Sequence, residues 1–274
     1  MRPMSPEETK KVELGILKSF AEFCDSHGLR YYLAYGTLIG AVRHKGFIPW
    51  DDDIDVQMPR PDYDELLRIF NEENTGTDLK VISPYDKASV YSYAKLIDTR
   101  TVKIESGIKY DGREPLGIDI DIFPLDGQPD DDKAYSKWYN KKFRYYKLMT
   151  LVLSDPNLTW KRKLICPLLQ LIRSKEYYQK KADKLSAPYK FDGCKFVGCT
   201  ASAVNSKKNR HDKSLYEKTV ELDFEGEKFK APVGYHEILT AMYGDYMKLP
   251  PEDKQVTHHS NLNFYKDGTE NEKI

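Results

Sequence analysis

The chain has 274 residues, with 43 Lys and Arg against 43 Asp and Glu, so it carries no formal net charge. That balance excludes a generic nucleic-acid coat, which works through an excess of basic side chains. With 40% hydrophobic residues and a mean hydropathy of −0.66 the chain can fill a globular core, and its longest nearly apolar run, Leu164 to Ile172, falls far short of the ~20 residues that cross a bilayer.

The N-terminus, Met1 to Lys11, is polar and lacks the apolar core of a signal peptide. Cys24, Cys166, Cys194 and Cys199 have neither the density of a disulfide scaffold nor the short paired spacing of a zinc site. The expectation is a cytoplasmic protein with reduced thiols.

Ser5-Pro6-Glu7-Glu8 supplies an N-cap, a proline at the first helical position and the Glu of a capping box, and Val12, Ile16, Phe20 and Phe23 follow at helical spacing. A helix is therefore expected up to His27-Gly28. Tyr31 to Tyr35 suits a strand, Gly36-Thr37 a turn, Leu38 to Arg43 a short helix and Ile54 to Met58 a second strand. A helix should start at Pro61 and reach Phe70, with strands at Leu79 to Ser83, Tyr91 to Ile97, Val102 to Glu105 and Ile118 to Phe123. The front half thus reads as mixed α/β.

Beyond Pro129 the character changes. Residues 137–190 contain 14 basic and 3 acidic residues with helical apolar spacing, whereas residues 49–78 contain 10 acidic and 2 basic. Thr219 to Lys230 alternates about Glu225-Gly226 like a hairpin, and Gly234 to Tyr243 reads as a short helix ended by Gly244. The polar tail after Asn261 is expected to fray. The resulting division is a mixed α/β core over residues 1–130 and, over 131–274, a mainly helical subdomain with a C-terminal hairpin and short helix.

The chemistry concentrates at Trp50-Asp51-Asp52-Asp53-Ile54-Asp55-Val56. Acidic runs alone are usually solvated faces, but in a strand Asp53 and Asp55 share one side while Ile54 and Val56 point to the core. Ile118-Asp119-Ile120-Asp121-Ile122 repeats the pattern. Carboxylates gathered this way suit a hard cation such as Mg²⁺, which completes its shell with phosphate oxygens and water. Gly36-Thr37, between a strand and a helix, lets backbone N–H groups approach a phosphate. Arg43, His44 and Lys45 would either neutralise phosphate charge or serve as an ordinary helix C-terminus. Tyr31, Tyr35, Trp50, Tyr91, Tyr93 and Tyr110 lie in the same region and would suit a quaternary ammonium, although tyrosines also pack half-buried without any such role. His258-His259 reads more simply as surface than as a metal ligand.

The segments Gly36-Thr37-Leu38, Arg43 through Asp55, Met58-Pro59-Arg60, Asp62-Tyr63, Ala94-Lys95-Leu96 and Asp119 through Gly127, with a weaker Tyr243-Gly244-Asp245-Tyr246, resemble the LicD family. Its members include phosphocholine transferases, and the animal fukutin-type proteins are relatives. Tyr35 departs from the pattern, since many members have glycine there. The resemblance implies an α/β (α+β) nucleotidyltransferase-type mixed sheet with helices, in which Asp53 and Asp55 are metal ligands and Asp121 is the third carboxylate. Gly36, Thr37, Arg43, His44, Lys45, Trp50 and Lys95 are the corresponding substrate-binding candidates.

The implied cofactor is Mg²⁺, with Mn²⁺ as an alternative. The implied donor is CDP-choline or another CDP-alcohol. The acceptor would be a glycan hydroxyl, on teichoic acid or another cell-surface polysaccharide precursor, which in one version is lipid-linked. Rival readings are transfer of glycerol phosphate, ribitol phosphate or a nucleotidyl group, and a non-enzymatic glycan- or membrane-binding module. Lys161-Arg162-Lys163 followed by Leu164 to Leu169 reads either as ordinary core packing in a helical subdomain that is basic for solubility or as a peripheral contact with an anionic leaflet, at the inner face of the membrane.

Overall fold

The computed structural model describes residues 1–87, 89–105, 115–153, 168, 171, 173–201, 208–257 and 261–266. A short strand β1 (Arg2–Pro3) precedes helix α1 (Pro6–Ser26), whose capping box forms as expected: Ser5 accepts from Glu8 N–H and Glu8 accepts from Ser5 N–H. One face of α1, with Val12, Ile16, Leu17, Phe20 and Cys24, is fully buried.

Strand β2 (Tyr32–Leu33) leads into α2 (Tyr35–Arg43), β3 (Asp55–Pro59) and α3 (Arg60–Glu73). Next come β4 (Leu79–Ile82), β5 (Ala94–Asp98), β6 (Thr101–Glu105) and the long β7 (Asp119–Gln128). These strands build a mixed sheet in the order β2-β3-β7-β5-β4, with β3 and β7 parallel and the other neighbours antiparallel. Ile54, Val56, Ile118, Ile120 and Ile122 are fully buried, as expected of strands covered by helices on their apolar face.

Helices α4 (Asp132–Leu153) and α5 (Lys175–Ser186) pack on each other through Tyr146, Met149, Val152, Tyr178 and Ala182. The chain then returns to the front half. Strand β8 (Phe196–Gly198) extends the sheet along the far end of β7 and pairs with β9 (His211–Asp212). The hairpin β10 (Thr219–Phe224) and β11 (Glu227–Pro232) forms about Glu225-Gly226, and α6 (Tyr235–Tyr243) ends at Gly244, whose φ is +73°. Phe224, Phe229, Ala231, Leu239 and Tyr246 share one core with α1 and the central strands.

Three expectations need correction. The segment Tyr31 to Tyr35 is strand only at Tyr32 and Leu33, because α2 already begins at Tyr35. Gly36-Thr37 is consequently not a turn but the first turn of that helix. The tail does not fray at once: β12 (Asn261–Tyr265) sits between β1 and β6, and its backbone bonds outweigh its polar composition. Tyr110, Lys161, Arg162, Lys163, His258 and His259 lie outside the described residues. Among the described residues no helix is long and apolar enough to cross a membrane.

Candidate active site

Register brings the carboxylates together. Asp55 is the direct neighbour of Asp121 across the parallel β3–β7 pair, and Lys95 is the neighbour of Asp121 across β5–β7, so Asp55, Asp121 and Lys95 form one row over three strands. Asp121 N–H donates to the Ile54 carbonyl at 2.8 Å, and Asp55 N–H donates to Thr37 Oγ1 at 2.8 Å. Thr37 therefore fixes the start of β3 from inside α2. Asp53 lies just before β3 rather than on it, a further correction, since the strand begins at Asp55.

Lys95 is buried and bridges two carboxylates, with Nζ 2.5 Å from Asp121 Oδ1 and 3.0 Å from Asp119 Oδ2. Lys103 holds the other oxygen of Asp119 at 2.8 Å. Burial works against a charged Asp119, but Lys103 and Lys95 outweigh it and bring its pKa below the ordinary value. Asp55 is in the opposite condition: burial, reinforced by the charges of Asp53, Asp121 and Asp51, pushes its pKa well up despite Lys95. Burial also raises Asp121, which Lys95 only partly offsets. Negative charge exceeds positive charge at this end of the sheet.

Gly36 has a steric reason to be glycine. A Cβ there would run into the Asp51 carboxylate, which lies over the first turn of α2 where the helix dipole favours a negative group. The first bond of the helix ladder is Leu38 N–H to the Ala34 carbonyl, so the Gly36 and Thr37 N–H groups have no acceptor within the helix. Tyr35, where many family members have glycine, holds φ at +46°, a conformation costing a non-glycine residue about 1 kcal/mol. Its ring meets Phe123 edge-on at 5.3 Å, and its hydroxyl accepts from Asn209 Nδ2 at 2.8 Å.

Aromatic rings flank the row. The Lys95 ammonium stands 4.2 Å from the Tyr91 ring centre and 5.8 Å from that of Tyr93, which in turn packs on Phe123 at 4.3 Å. Burial and then the Asp121 charge push the Tyr93 phenol well up. Tyr243, at the end of α6, is partly exposed, and desolvation followed by the charges of Asp55, Asp51 and Asp53 pushes its phenol up. Sequence reasoning noted Tyr243 only as part of a weak match. Its place depends on a contact between segments nearly 190 residues apart, for which periodicity gives no signal.

Other expected residues stand away from the row. Arg43 Nη1 donates to the Tyr246 carbonyl at 2.6 Å, tying the end of α2 to the C-terminal segment. Lys45 has φ +61°, and its carbonyl accepts from Glu225 N–H in a turn against the β10–β11 hairpin. Trp50 is half-buried and meets His44 edge-on at 6.3 Å. Burial and the neighbouring Arg43 lower the His44 pKa. Cys24 and Cys199 are buried free thiols, Cys194 is partly exposed, and Cys166 lies outside the described residues.

The donor set of Asp51, Asp53, Asp55 and Asp121 is all hard oxygen, which fits a divalent cation of the Mg²⁺ type. Among the described residues no three His, Cys, Asp or Glu side chains are already drawn together at distances that would hold an ion, and Lys95 holds one oxygen of Asp121.

A carboxylate row on a mixed sheet, beside an amide-bearing helix start, is the arrangement of a nucleotidyltransferase-type transferase, and a family model described as "LicD/FKTN/FKRP, nucleotidyltransferase domain" matches residues 28–171. Lipopolysaccharide cholinephosphotransferase LicD of Haemophilus influenzae is 34% identical over 266 residues, covering 94% of this chain and 97% of that protein. The chain belongs to the LicD family and is a transferase of that type. Shorter matches reach an uncharacterized protein of Rickettsia prowazekii, 33% identical over 24% of this chain and 28% of that protein. Mannosyltransferase regulator 14 of Saccharomyces cerevisiae is 30% identical over 39% of this chain and 12% of its own length.

Proposed function

We propose that the protein moves phosphocholine from CDP-choline to a hydroxyl of a cell-surface glycan precursor, with Mg²⁺ or Mn²⁺ held by Asp53, Asp55 and Asp121. The observation that carries this reading is the Asp55–Asp121–Lys95 row with the Tyr91 and Tyr93 rings beside Lys95, in a chain similar over nearly its whole length to a cholinephosphotransferase. The bound cation supplies positive charge to the donor's phosphate oxygens.

The chain's own residues do the rest. The Gly36 and Thr37 N–H groups sit at the positive end of α2 under the Asp51 carboxylate, so they would receive a phosphate only with the cation that would offset Asp51 in place. Lys95, held by Asp119 and Asp121, adds a fixed positive charge toward the departing CMP, a task for which Arg43 is badly placed because the Tyr246 carbonyl occupies it. Asp121 takes the proton of the acceptor hydroxyl as it attacks phosphorus and the bond to CMP breaks. Tyrosine faces attract the trimethylammonium group. Exposed Leu168 and Leu171, in the basic stretch, support a peripheral contact with an anionic membrane surface at its cytoplasmic side, where a lipid-linked acceptor would be met.

The test is CMP release with a glycan acceptor, comparing CDP-choline with CDP-ethanolamine, CDP-glycerol and CDP-ribitol. The expected result is a clear preference for CDP-choline that requires a divalent cation. Equal specificity constants for choline and ethanolamine, or exclusive use of a polyol donor, contradict the choline assignment.

A further inference from the structure

Against the Asp51-Asp52 loop that leads into the carboxylate row, the N-terminal segment and β12 enclose a cleft of about 430 Å³. Its walls come from the N-terminal segment and α1 (Met4, Thr9, Lys10), the loop carrying Asp51 and Asp52, and β12 (Leu262, Asn263, Phe264). The cleft thus opens onto the residues that precede Asp53. The sheet β1-β12-β6 that forms it arises because Asn263 O accepts from Met4 N–H while Asn263 pairs with Lys103 across β6.

The two flanks of the row differ in what they can bind. The start of α2 offers amide donors suited to phosphate, and the β5 side offers the Tyr91 and Tyr93 rings beside Lys95. The cleft offers Asp51, Asp52 and Thr9 beside one cation, Lys10, whose ammonium is 4.9 Å from the Phe47 ring centre. Two carboxylates repel a phosphate, and a single aromatic ring, Phe264, is a poor cage for choline. Hydroxyl groups suit it, since they donate to carboxylates while their carbon skeleton lies on Pro6, Pro49 and Leu262.

Two side chains at one wall of the cleft carry acceptors with no hydrogen-bond partner among the described residues. Asn263 Nδ2 donates to Thr9 Oγ1 at 3.2 Å, yet Asn263 Oδ1 is shielded from solvent and has no hydrogen-bond partner among the described residues. One turn beyond Thr9 on the same face of α1, Glu13 is fully buried, and neither of its oxygens has a hydrogen-bond partner among the described residues. Both sets of acceptors are closed to solvent, so they belong to the packing behind the wall, and the groups open to a ligand are those that line the cleft.

We infer that this cleft, built by the two chain ends, is the binding site of the acceptor alcohol: a saccharide bound there directs a hydroxyl past Asp51 and Asp52 toward Asp121. The inference rests on the proposed transfer reaction for its purpose but not for its test. A second cleft of about 580 Å³, lined by Arg60, Tyr85, Asp126, Asp183, Tyr189 and Phe191, lies at the opposite end of β3 and β7. Its main polar groups are paired with one another, Arg60 with Asp126 and Tyr85 with Asp183.

The experiment is titration of the full chain with methyl glucoside and methyl galactoside, without donor, followed by NMR of labelled Asn and aromatic residues. The expected result is saturable shifts at Asn263 and Phe264 for at least one glycoside. Leu262→Trp and Thr257→Tyr, both at exposed positions of the cleft, should weaken binding about tenfold at an unchanged melting temperature. In transfer assays they should raise the acceptor KM while the donor KM holds. No shift at Asn263 and Phe264 with either sugar at saturating millimolar concentration, shifts confined to Tyr85, Tyr189 and Phe191, or a change in donor KM alone would overturn the assignment. Saturable glycoside binding by a chain that uses no CDP-alcohol would instead retain the cleft and refute the transfer reaction.

Discussion

The two ends of the parallel pair β3–β7 hold buried carboxylates in opposite electrostatic states. At the start of the strands burial raises both Asp55 and Asp121, reinforced at Asp55 by Asp53, Asp121 and Asp51 and at Asp121 by Asp119, with Lys95 opposing at each. About 13 Å along, where β3 ends, Asp126 lies between Arg60 Nε at 2.7 Å and Lys142 Nζ at 3.1 Å. Burial would raise Asp126, but the two cations overcome it and hold its pKa at about 2. One sheet thus carries a charge-deficient end that a cation or substrate can complete and a satisfied end that joins α3 to α4. Perturbation toward the uncharged form by like charges marks the reactive end, while perturbation toward the charged form marks the structural one.

The comparison breaks most visibly under Asp55→Asn and Asp121→Asn. Each should lower CMP release about a thousandfold or more without loss of melting temperature, because each removes a charge the site crowds. Steady-state kinetics and thermal melts on the same preparations check both halves. Asp119→Asn should cost less activity than Asp121→Asn, since Asp119 acts through Lys95.

Asp126→Asn should do the reverse. It leaves Arg60 and Lys142 buried without their carboxylate and should cost about 3 kcal/mol in urea unfolding, with turnover per folded molecule retained. The pH dependence has a definite sign. Because the folded pKa of Asp126 is depressed, its stabilisation of about 2 kcal/mol is present above about pH 4 and is lost as the pH falls toward 2. Wild type should therefore lose more stability over that interval than Asp126→Asn.

Tyr35→Phe should have the smallest effect, about 1 kcal/mol for the lost Asn209 bond, because the ring keeps its edge contact with Phe123. Tyr35→Gly sharpens the point: it relieves the backbone at φ +46° but removes both contacts, and should be less stable than Tyr35→Phe.

Much of this was legible locally. The Ser5 capping box, the Glu225-Gly226 hairpin and the alternation through Ile54 to Val56 and Ile118 to Ile122 all act within a few residues. What sequence reasoning missed is set by pairing at a distance. Nothing near Asn261 announces that β1 and β6 will accept it as a strand. Arg43 next to His44 and Lys45 reads as a phosphate clamp until the backbone of Tyr246 and Lys248 takes its guanidinium. Lys95 was identified through the family pattern, but its bridge between Asp119 and Asp121 follows from the β5–β7 register.

The most direct test of the two-ended account is Mn²⁺ binding followed by electron paramagnetic resonance, which separates free from bound ion without relying on turnover. Wild type and Asp126→Asn should bind Mn²⁺ alike, and Asp55→Asn and Asp121→Asn should lose most of that affinity. Undiminished binding by both Asp55→Asn and Asp121→Asn, or its loss in Asp126→Asn, would contradict the account.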